Sequence, residues 1–307
     1  MMTQIYHKPV LLQELIDSLE IKKNGVYVDL TFGGGGHSRE ILKRLGEVGK
    51  LIAFDNDEDA ERNIVDDSRF TFLRQNFIYL MQNLNFLKIG KVDGIIADLG
   101  VSSHQFDNKK RGFSFDSDYN LDMRMNKNQD KDAVEILNTY SKKQLADIFF
   151  YNGDLKNSRA IADLICDQRA KEQITNPNQF NNILKTILPK GYENKILARI
   201  YQSVRIEVNS EIDCLKKLLN QIPQVLKKNG IASIITYHSI EDRLVKRFFK
   251  NGCFNEEPMK DDFGNQIKIF RTEKFKTAND FELKNNSRSR SAKLRVAKLI
   301  WEKKLLI

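Results

Sequence analysis

The sequence predicts an α/β fold in which an open, mainly parallel sheet carries a helical insertion. Three observations lead there. Strand-like and helix-like patterns alternate over the first hundred residues; between about Phe106 and Arg205 strand patterns give way to apolar residues at helix spacing; and strand patterning resumes near Ile231. Taken in order, Val26 to Leu30 reads as a first strand, followed by a glycine loop and a helix ending at Leu45. Leu51 to Phe54, Phe70 to Leu73 and Gly94 to Leu99 read as three further strands. Within the insertion, Leu145, Ile148 and Phe149, and then Ile161, Leu164 and Ile165, fall on single helix faces. Ser141 with Gln144 forms a capping box, and Asn176 before Pro177 sets a cap with proline at the first helical position. Ile231 to Tyr237 is the resumed strand, and the helix after it places Leu244, Val245, Phe248 and Phe249 on one face. The expected organisation is a discontinuous domain, 1–105 with 206–307, and an all-helical subdomain, 106–205, suited to RNA recognition.

At 307 residues the chain can bury a full core and sits near the size at which single cores divide. Its longest apolar runs, such as Ile231 to Ile235, are far shorter than the roughly 20 residues of a membrane span, and no signal-peptide core follows Met1. The expectation is a cytoplasmic protein with no membrane partner, a monomer or a homodimer. Cys166, Cys214 and Cys253 are odd in number and outside any CxxC spacing, so they read as ordinary buried thiols rather than disulfides or zinc ligands. A net charge of +9 points to a polyanionic partner. Between Lys284 and Lys304, eight basic residues face one acid, Glu302, a net +7 in one segment. Arg288, Arg290, Lys293 and Arg295 are candidates for RNA phosphates, against the alternative of a solvated tail. Asn285 to Ser291 reads as flexible. The basic and aromatic stretch Lys109 to Phe115 suits a nucleic-acid surface or an ordinary loop.

The chemistry begins at Val28-Asp29-Leu30-Thr31-Phe32-Gly33-Gly34-Gly35-Gly36-His37-Ser38, an acid at a strand end, then glycines, then a helix start. Dinucleotide enzymes use a glycine turn here for pyrophosphate. The acid four residues before Gly33 would repel pyrophosphate and suits a cationic sulfonium ligand with a free amino group, which is S-adenosylmethionine. Asp29 either meets that ligand or braces the loop. Asp55 ends the second strand 26 residues on, where an acid binds ribose hydroxyls. Phe77, after the third strand, can lie on an adenine or belong to the core. Asp98 ends the fourth strand, where acceptor chemistry belongs, and the D/N-P-P-Y/F signature of many amine methylases is absent. Methyl transfer is an in-line displacement at an already activated carbon, so positioning supplies most of the rate and no metal is called for. Tyr237-His238-Ser239 ends the resumed strand. Tyr237 can stack on an extruded base and His238 can take a proton, or both can simply pack the strand end.

These motifs, with His7-Lys8-Pro9-Val10-Leu11-Leu12, Asp98 to Ser103, Arg111-Gly112-Phe113-Ser114-Phe115, Leu121-Asp122-Met123-Arg124-Met125, Arg205-Ile206, Val208-Asn209, Tyr237 to Arg243 and Ser291-Ala292-Lys293-Leu294-Arg295, resemble the bacterial 16S ribosomal RNA cytosine-N4 methyltransferases, the RsmH or MraW family. The resemblance runs the length of the chain. It departs from the family pattern at Tyr119-Asn120, Ser287 and Ala198 to Tyr201. It implies a class I, Rossmann-like S-adenosylmethionine-dependent methyltransferase sheet with an inserted helical subdomain. It also implies cofactor contacts at Gly35, Gly36, His37, Asp55, Phe77, Asp98 and Gln105, and methylation of the exocyclic N4 of a decoding-centre cytosine in 16S rRNA of the small ribosomal subunit. Methylation at C5 would need a cysteine nucleophile, commonly after proline, and no cysteine here follows proline. Asp98 and His238 are the candidate catalytic groups. Two alternatives use the same patterns: a nicotinamide-dependent oxidoreductase, which Ser38 and Asp29 disfavour, and a non-catalytic RNA-binding assembly protein that retains the cofactor pocket.

Overall fold

The computed structural model describes residues 9–116, 119–258 and 260–301. The chain divides into two compact units, 1–100 with 213–307 and 101–212. The division falls outside the expected limits of 105 and 206 because the last helix of the second unit runs on to Val208.

The first unit is built on a seven-stranded sheet of order β3-β2-β1-β4-β5-β7-β6. Strands β1 (Val26–Asp29), β2 (Lys50–Asp55), β3 (Phe70–Arg74), β4 (Val92–Asp98) and β5 (Leu226–Thr236) are parallel, close to the positions the sequence pattern predicts. Alternate residues enter opposite faces, as the pleat requires. On one face Val28, Phe54, Ile95, Ala97 and Ile234 pack with Leu80 and Leu84 of α3 (Leu80–Phe86), Leu218 and Ile222 of α10 (Glu211–Val225), and Val245 and Phe248 of α11 (Ser239–Asn251). On the other, Tyr27, Leu51, Ile96 and Ile235 pack with α1 (Leu12–Ser18) and α2 (Gly36–Arg44).

Two strands escape the sequence reading. β6 (Phe270–Thr272) and β7 (Lys293–Leu299) are antiparallel additions, and β7 lies between β5 and β6. The basic segment, read as a patch for RNA phosphates against a solvated tail, thus contributes strand β7 to the sheet, and the stretch read as flexible, Asn285 to Ser291, is mostly helical. Asn285 closes α12 (Asp280–Asn285), Ser287–Ser291 is a short 3-10 helix with Ser289 buried, and Leu294, Val296, Ala297 and Leu299 enter the core. Lys303, Lys304 and Glu302 lie outside the described residues, as do His7 and Lys8.

The second unit is helical: α4 (Ser103–Asp107), α5 (Ala133–Thr139), α6 (Lys142–Tyr151), α7 (Ser158–Arg169), α8 (Pro177–Leu184) and α9 (Glu193–Val208). Its core joins Leu145 and Phe149 to Ile161, Ile165, Phe180, Ile200 and Val204. Ser141 and Gln144 close their capping box, and Asn176 accepts from the Gln179 N–H with Pro177 in the first turn. The three cysteines form no disulfide and are only partly buried, less enclosed than expected, because each lies on a helix flank or beside the loop after α11. Among the described residues no helix is long and apolar enough to cross a membrane.

Candidate active site

Strands β1 and β4 are neighbours whose connections leave in opposite directions along the sheet, and ligands of open α/β sheets bind beyond the carboxyl ends at such a switch point. Three strands there end in aspartate: Asp29 on β1, Asp55 on β2 and Asp98 on β4.

Asp29 is a brace. It is 1% exposed; its Oδ1 accepts from the Thr31 N–H (3.1 Å) and its Oδ2 from the Ser38 hydroxyl (2.7 Å). Buried and bonded to the glycine loop through both oxygens, Asp29 fits the bracing reading better than ligand contact. Burial pushes its carboxyl up, and Ser38 and the Thr31 N–H oppose the shift. Asp55 differs. It is partly exposed, and its Oδ2 accepts from the Gly33 N–H at 2.7 Å while its Oδ1 accepts from the Asp57 N–H at 2.8 Å. Each oxygen keeps a further acceptor direction. Burial raises its pKa to about 6 against the pull of these N–H donors.

The loop itself tests whether S-adenosylmethionine fits. Gly35 caps α2 at φ +72°, and a Cβ there would lie 2.9 Å from the Phe32 ring. At Gly36 a Cβ would lie 2.1 Å from Pro9 Cγ. Among the described residues no side chain caps this helix end. The peptide N–H groups of Gly36 and His37 thus remain for an anionic group such as an amino-acid carboxylate. The imidazole of His37 is not offered: it is buried, and its Nε2 donates to the Val10 carbonyl at 3.1 Å. Burial lowers its pKa and keeps it neutral. Phe77, on the short 3-10 helix Phe77–Tyr79 after β3, is partly buried against the sheet core. These groups fit the nucleoside and amino-acid ends of the cofactor. Gln105, in the second unit, is 4% exposed, and its Oε1 accepts from the Ser102 N–H at 2.9 Å in a capping box that opens α4.

At the end of β4, Asp98 is partly exposed, its N–H donates to Thr31 Oγ1 (2.6 Å), and its Oδ1 accepts from the Tyr237 hydroxyl (2.6 Å). Burial is the main cause of a pKa raised to about 7, and Glu241 and Glu282 push the same way. His238 is turned elsewhere. It caps α11, its Nδ1 accepting from the Glu241 N–H at 3.4 Å, and its Nε2 lies 3.1 Å from Glu241 Oε1 without hydrogen-bonding geometry. Its Nδ1 is thus taken by the first turn of α11, and its Nε2 faces Glu241. The sequence reading missed Glu241 and Glu282, both buried: Glu241 Oε2 accepts from the Tyr237 N–H (3.0 Å) and Glu282 Oε1 from the Leu11 N–H (2.8 Å). The signal for Glu241 was present, an acid three residues after the cap His238.

The basic candidates separate. Asp242 binds Arg295 Nε (2.6 Å) and Lys293 Nζ (3.3 Å), and both cations lie over the Phe275 ring. Arg295 is only 13% exposed at its side chain, so the expectation of a phosphate ligand is corrected there: its charge is spent within the fold. Arg288 is half-buried and Arg290 is exposed.

Comparison with known proteins gives a consistent result. The model of the MraW methylase family matches residues 4–300. Ribosomal RNA small subunit methyltransferase H of Christiangramia forsetii is 51% identical over 294 residues, 95% of this chain and 97% of that protein. The protein of the same name from Flavobacterium johnsoniae is 51% identical over 299 residues, covering 97% and 99%. That from Flavobacterium psychrophilum is 53% identical over 288 residues, covering 94% and 99%.

Proposed function

The chain belongs to the MraW methylase family, and from that premise we infer that it is an S-adenosylmethionine-dependent methyltransferase of small-subunit ribosomal RNA, acting in the cytoplasm on the exocyclic N4 of a decoding-centre cytosine. The observation that carries the reading is the aspartate at the end of β4, held by a tyrosine at the switch point beside a glycine loop that fits the cofactor. The cofactor, when bound, supplies a methyl carbon made electrophilic by positive sulfur. Gly36 and His37 hold its carboxylate through peptide N–H groups, Asp55 its ribose and Phe77 its adenine. Asp98 accepts a hydrogen bond from the target amine, orients the nitrogen lone pair and receives the proton that the amine releases. The helical unit and Arg288 and Arg290 are assigned to RNA.

Incubation with labelled S-adenosylmethionine and small subunits lacking the modification, followed by nuclease digestion and mass spectrometry, tests the reading. N4-methylcytidine is the expected product; cofactor and subunit binding with no methylated nucleoside would move the assignment to a non-catalytic assembly protein. Two further results are expected. Replacing Cys166, Cys214 and Cys253 together by serine leaves the rate within about twofold, because no thiol adds to the base; loss of transfer in a folded triple variant would point to C5 chemistry instead. Arg290→Ala lowers the slope of log Kd against log salt by about one unit for the subunit, and an unchanged slope removes Arg290 from the phosphate contacts.

A further inference from the structure

The sequence offered Tyr237 as a stacking platform for an extruded base. Its hydroxyl is placed otherwise, donating to Asp98 Oδ1 at 2.6 Å, while its ring is partly buried against the core and burial drives the phenol's pKa upward. The backbone at this point is also fixed. Glu241, 2% exposed, accepts from the Tyr237 N–H through Oε2, and the same carboxylate has the His238 ring beside Oε1. Asp98 is held from its own backbone as well, through its N–H on Thr31 Oγ1. One oxygen of Asp98 is therefore engaged, whereas among the described residues Oδ2 takes no hydrogen bond.

We propose that Tyr237 is a positioning residue for methyl transfer, its hydroxyl fixing Asp98 Oδ1 so that Oδ2 is presented to the acceptor amine. This rests on the assignment of Asp98 to the amine given above. In the step served, the amine nitrogen forms a bond to the methyl carbon, the carbon–sulfur bond breaks with its electron pair going to sulfur, and one amine proton passes to Asp98 Oδ2. Tyr237 keeps its own proton throughout. A carboxylate held at one oxygen cannot rotate away from the lone-pair line, and a donor on Oδ1 favours the ionised acceptor form. The groups facing Asp98 are Tyr237 after β5, Glu241 on α11, Glu282 on α12 and Asp29 on β1; all but Tyr237 are acids, so Tyr237 is the neighbour that holds the carboxylate in its charged form.

Tyr237→Phe separates the two roles, because it keeps the ring and removes only the hydroxyl. With unmodified small subunits and S-adenosylmethionine, kcat is expected to fall about ten- to a hundredfold, the loss of one charge-assisted hydrogen bond. KM for the subunit stays within about twofold, cofactor Kd is unchanged, and the acidic limb of the kcat–pH profile moves to higher pH as the carboxyl loses its donor. A Phe variant equal to wild type overturns the proposal in favour of stacking. A fall in kcat without the pH shift overturns it in favour of a purely structural role. Tyr237→Leu removes ring and hydroxyl together: positioning predicts a kcat loss like that of Phe, and a rise confined to KM overturns it. Absence of transfer by the wild-type chain overturns the proposed function as well, whereas equal rates for Phe and wild type overturn only the role of Tyr237.

Discussion

Asp98→Asn is expected to lower methyl transfer by about a hundred- to ten-thousandfold, the usual range for loss of a positioned proton acceptor, and yet to make the ligand-free protein more heat-stable at pH 8. The first effect follows from geometry. Asparagine keeps the shape and can still accept from the Tyr237 hydroxyl through Oδ1, but it offers the amine an N–H₂ donor where Oδ2 had been an acceptor. The second follows from the carboxyl's pKa, about 7 in the fold against 3.8 ordinarily, with burial the main cause and Glu241 and Glu282 adding repulsion. A carboxyl whose pKa is raised by folding favours the folded state most below its unfolded pKa, and that favour is lost as pH rises through the folded pKa. At pH 8 the wild-type protein therefore carries the full cost of a buried charge. The asparagine variant carries none. The difference in Tm is expected to be near zero at about pH 4 and to grow to about 2–3 °C above pH 7, some 1 kcal/mol for a chain of this size after screening at a partly exposed site. Wild-type kcat should rise with pH through about 7 as Asp98 ionises. Differential scanning calorimetry across pH, together with single-turnover transfer, checks both halves. A variant that is inactive and also less stable at pH 8 would show that Asp98 is a structural acid, and one with wild-type transfer would remove it from the chemistry.

The same residues show what sequence could convey. Parallel strands β1 to β5 were legible because each is a run of Val, Ile, Leu or Phe bounded by turn residues and too short for a helix, and the three aspartates were legible because each closes such a run. β7 was not. Lys293-Leu294-Arg295-Val296 alternates with the period of a half-buried strand, but counting its charges gave a patch, and the strand's outward face is where Asp242 and the Phe275 ring collect those cations. Arg295 thus looked like a phosphate ligand because its partner stands 53 residues away in sequence. Asp29 was ambiguous for a related reason: whether a strand-end acid serves ligand or loop depends on where Ser38 and the Thr31 N–H point, which only the folded turn decides. Glu282 gave no signal in the sequence: it lies in the first turn of α12, a short helix that the pattern did not reveal. Its burial depends on Leu11, at the opposite end of the chain, whose N–H it accepts.

Asp55→Ala is expected to weaken S-adenosylmethionine binding by about ten- to a hundredfold, corresponding to about 1.5–3 kcal/mol for hydrogen bonds to a charged acceptor. Two losses combine. The ribose hydroxyls lose their acceptor, and the Gly33 N–H, bound to Oδ2 at 2.7 Å, loses the partner that ties the glycine loop to β2. Asp55→Asn separates them, because its oxygen can replace only one of the two acceptors that Gly33 and Asp57 now use. Its amide would then face a peptide N–H as a second donor, so asparagine should recover little of the affinity. The pH dependence gives an independent reading. With a pKa of about 6, Asp55 is ionised at neutral pH and becomes protonated below it, so affinity for the cofactor should fall as pH drops through 6 in the wild-type protein and stay flat in the alanine variant. Titration calorimetry from pH 5 to pH 8 measures both. Equal affinities for wild type and Asp55→Ala would leave the carboxylate as a turn brace like Asp29 and place the ribose elsewhere. Parallel pH profiles of unequal affinity would assign the titration to a group other than Asp55.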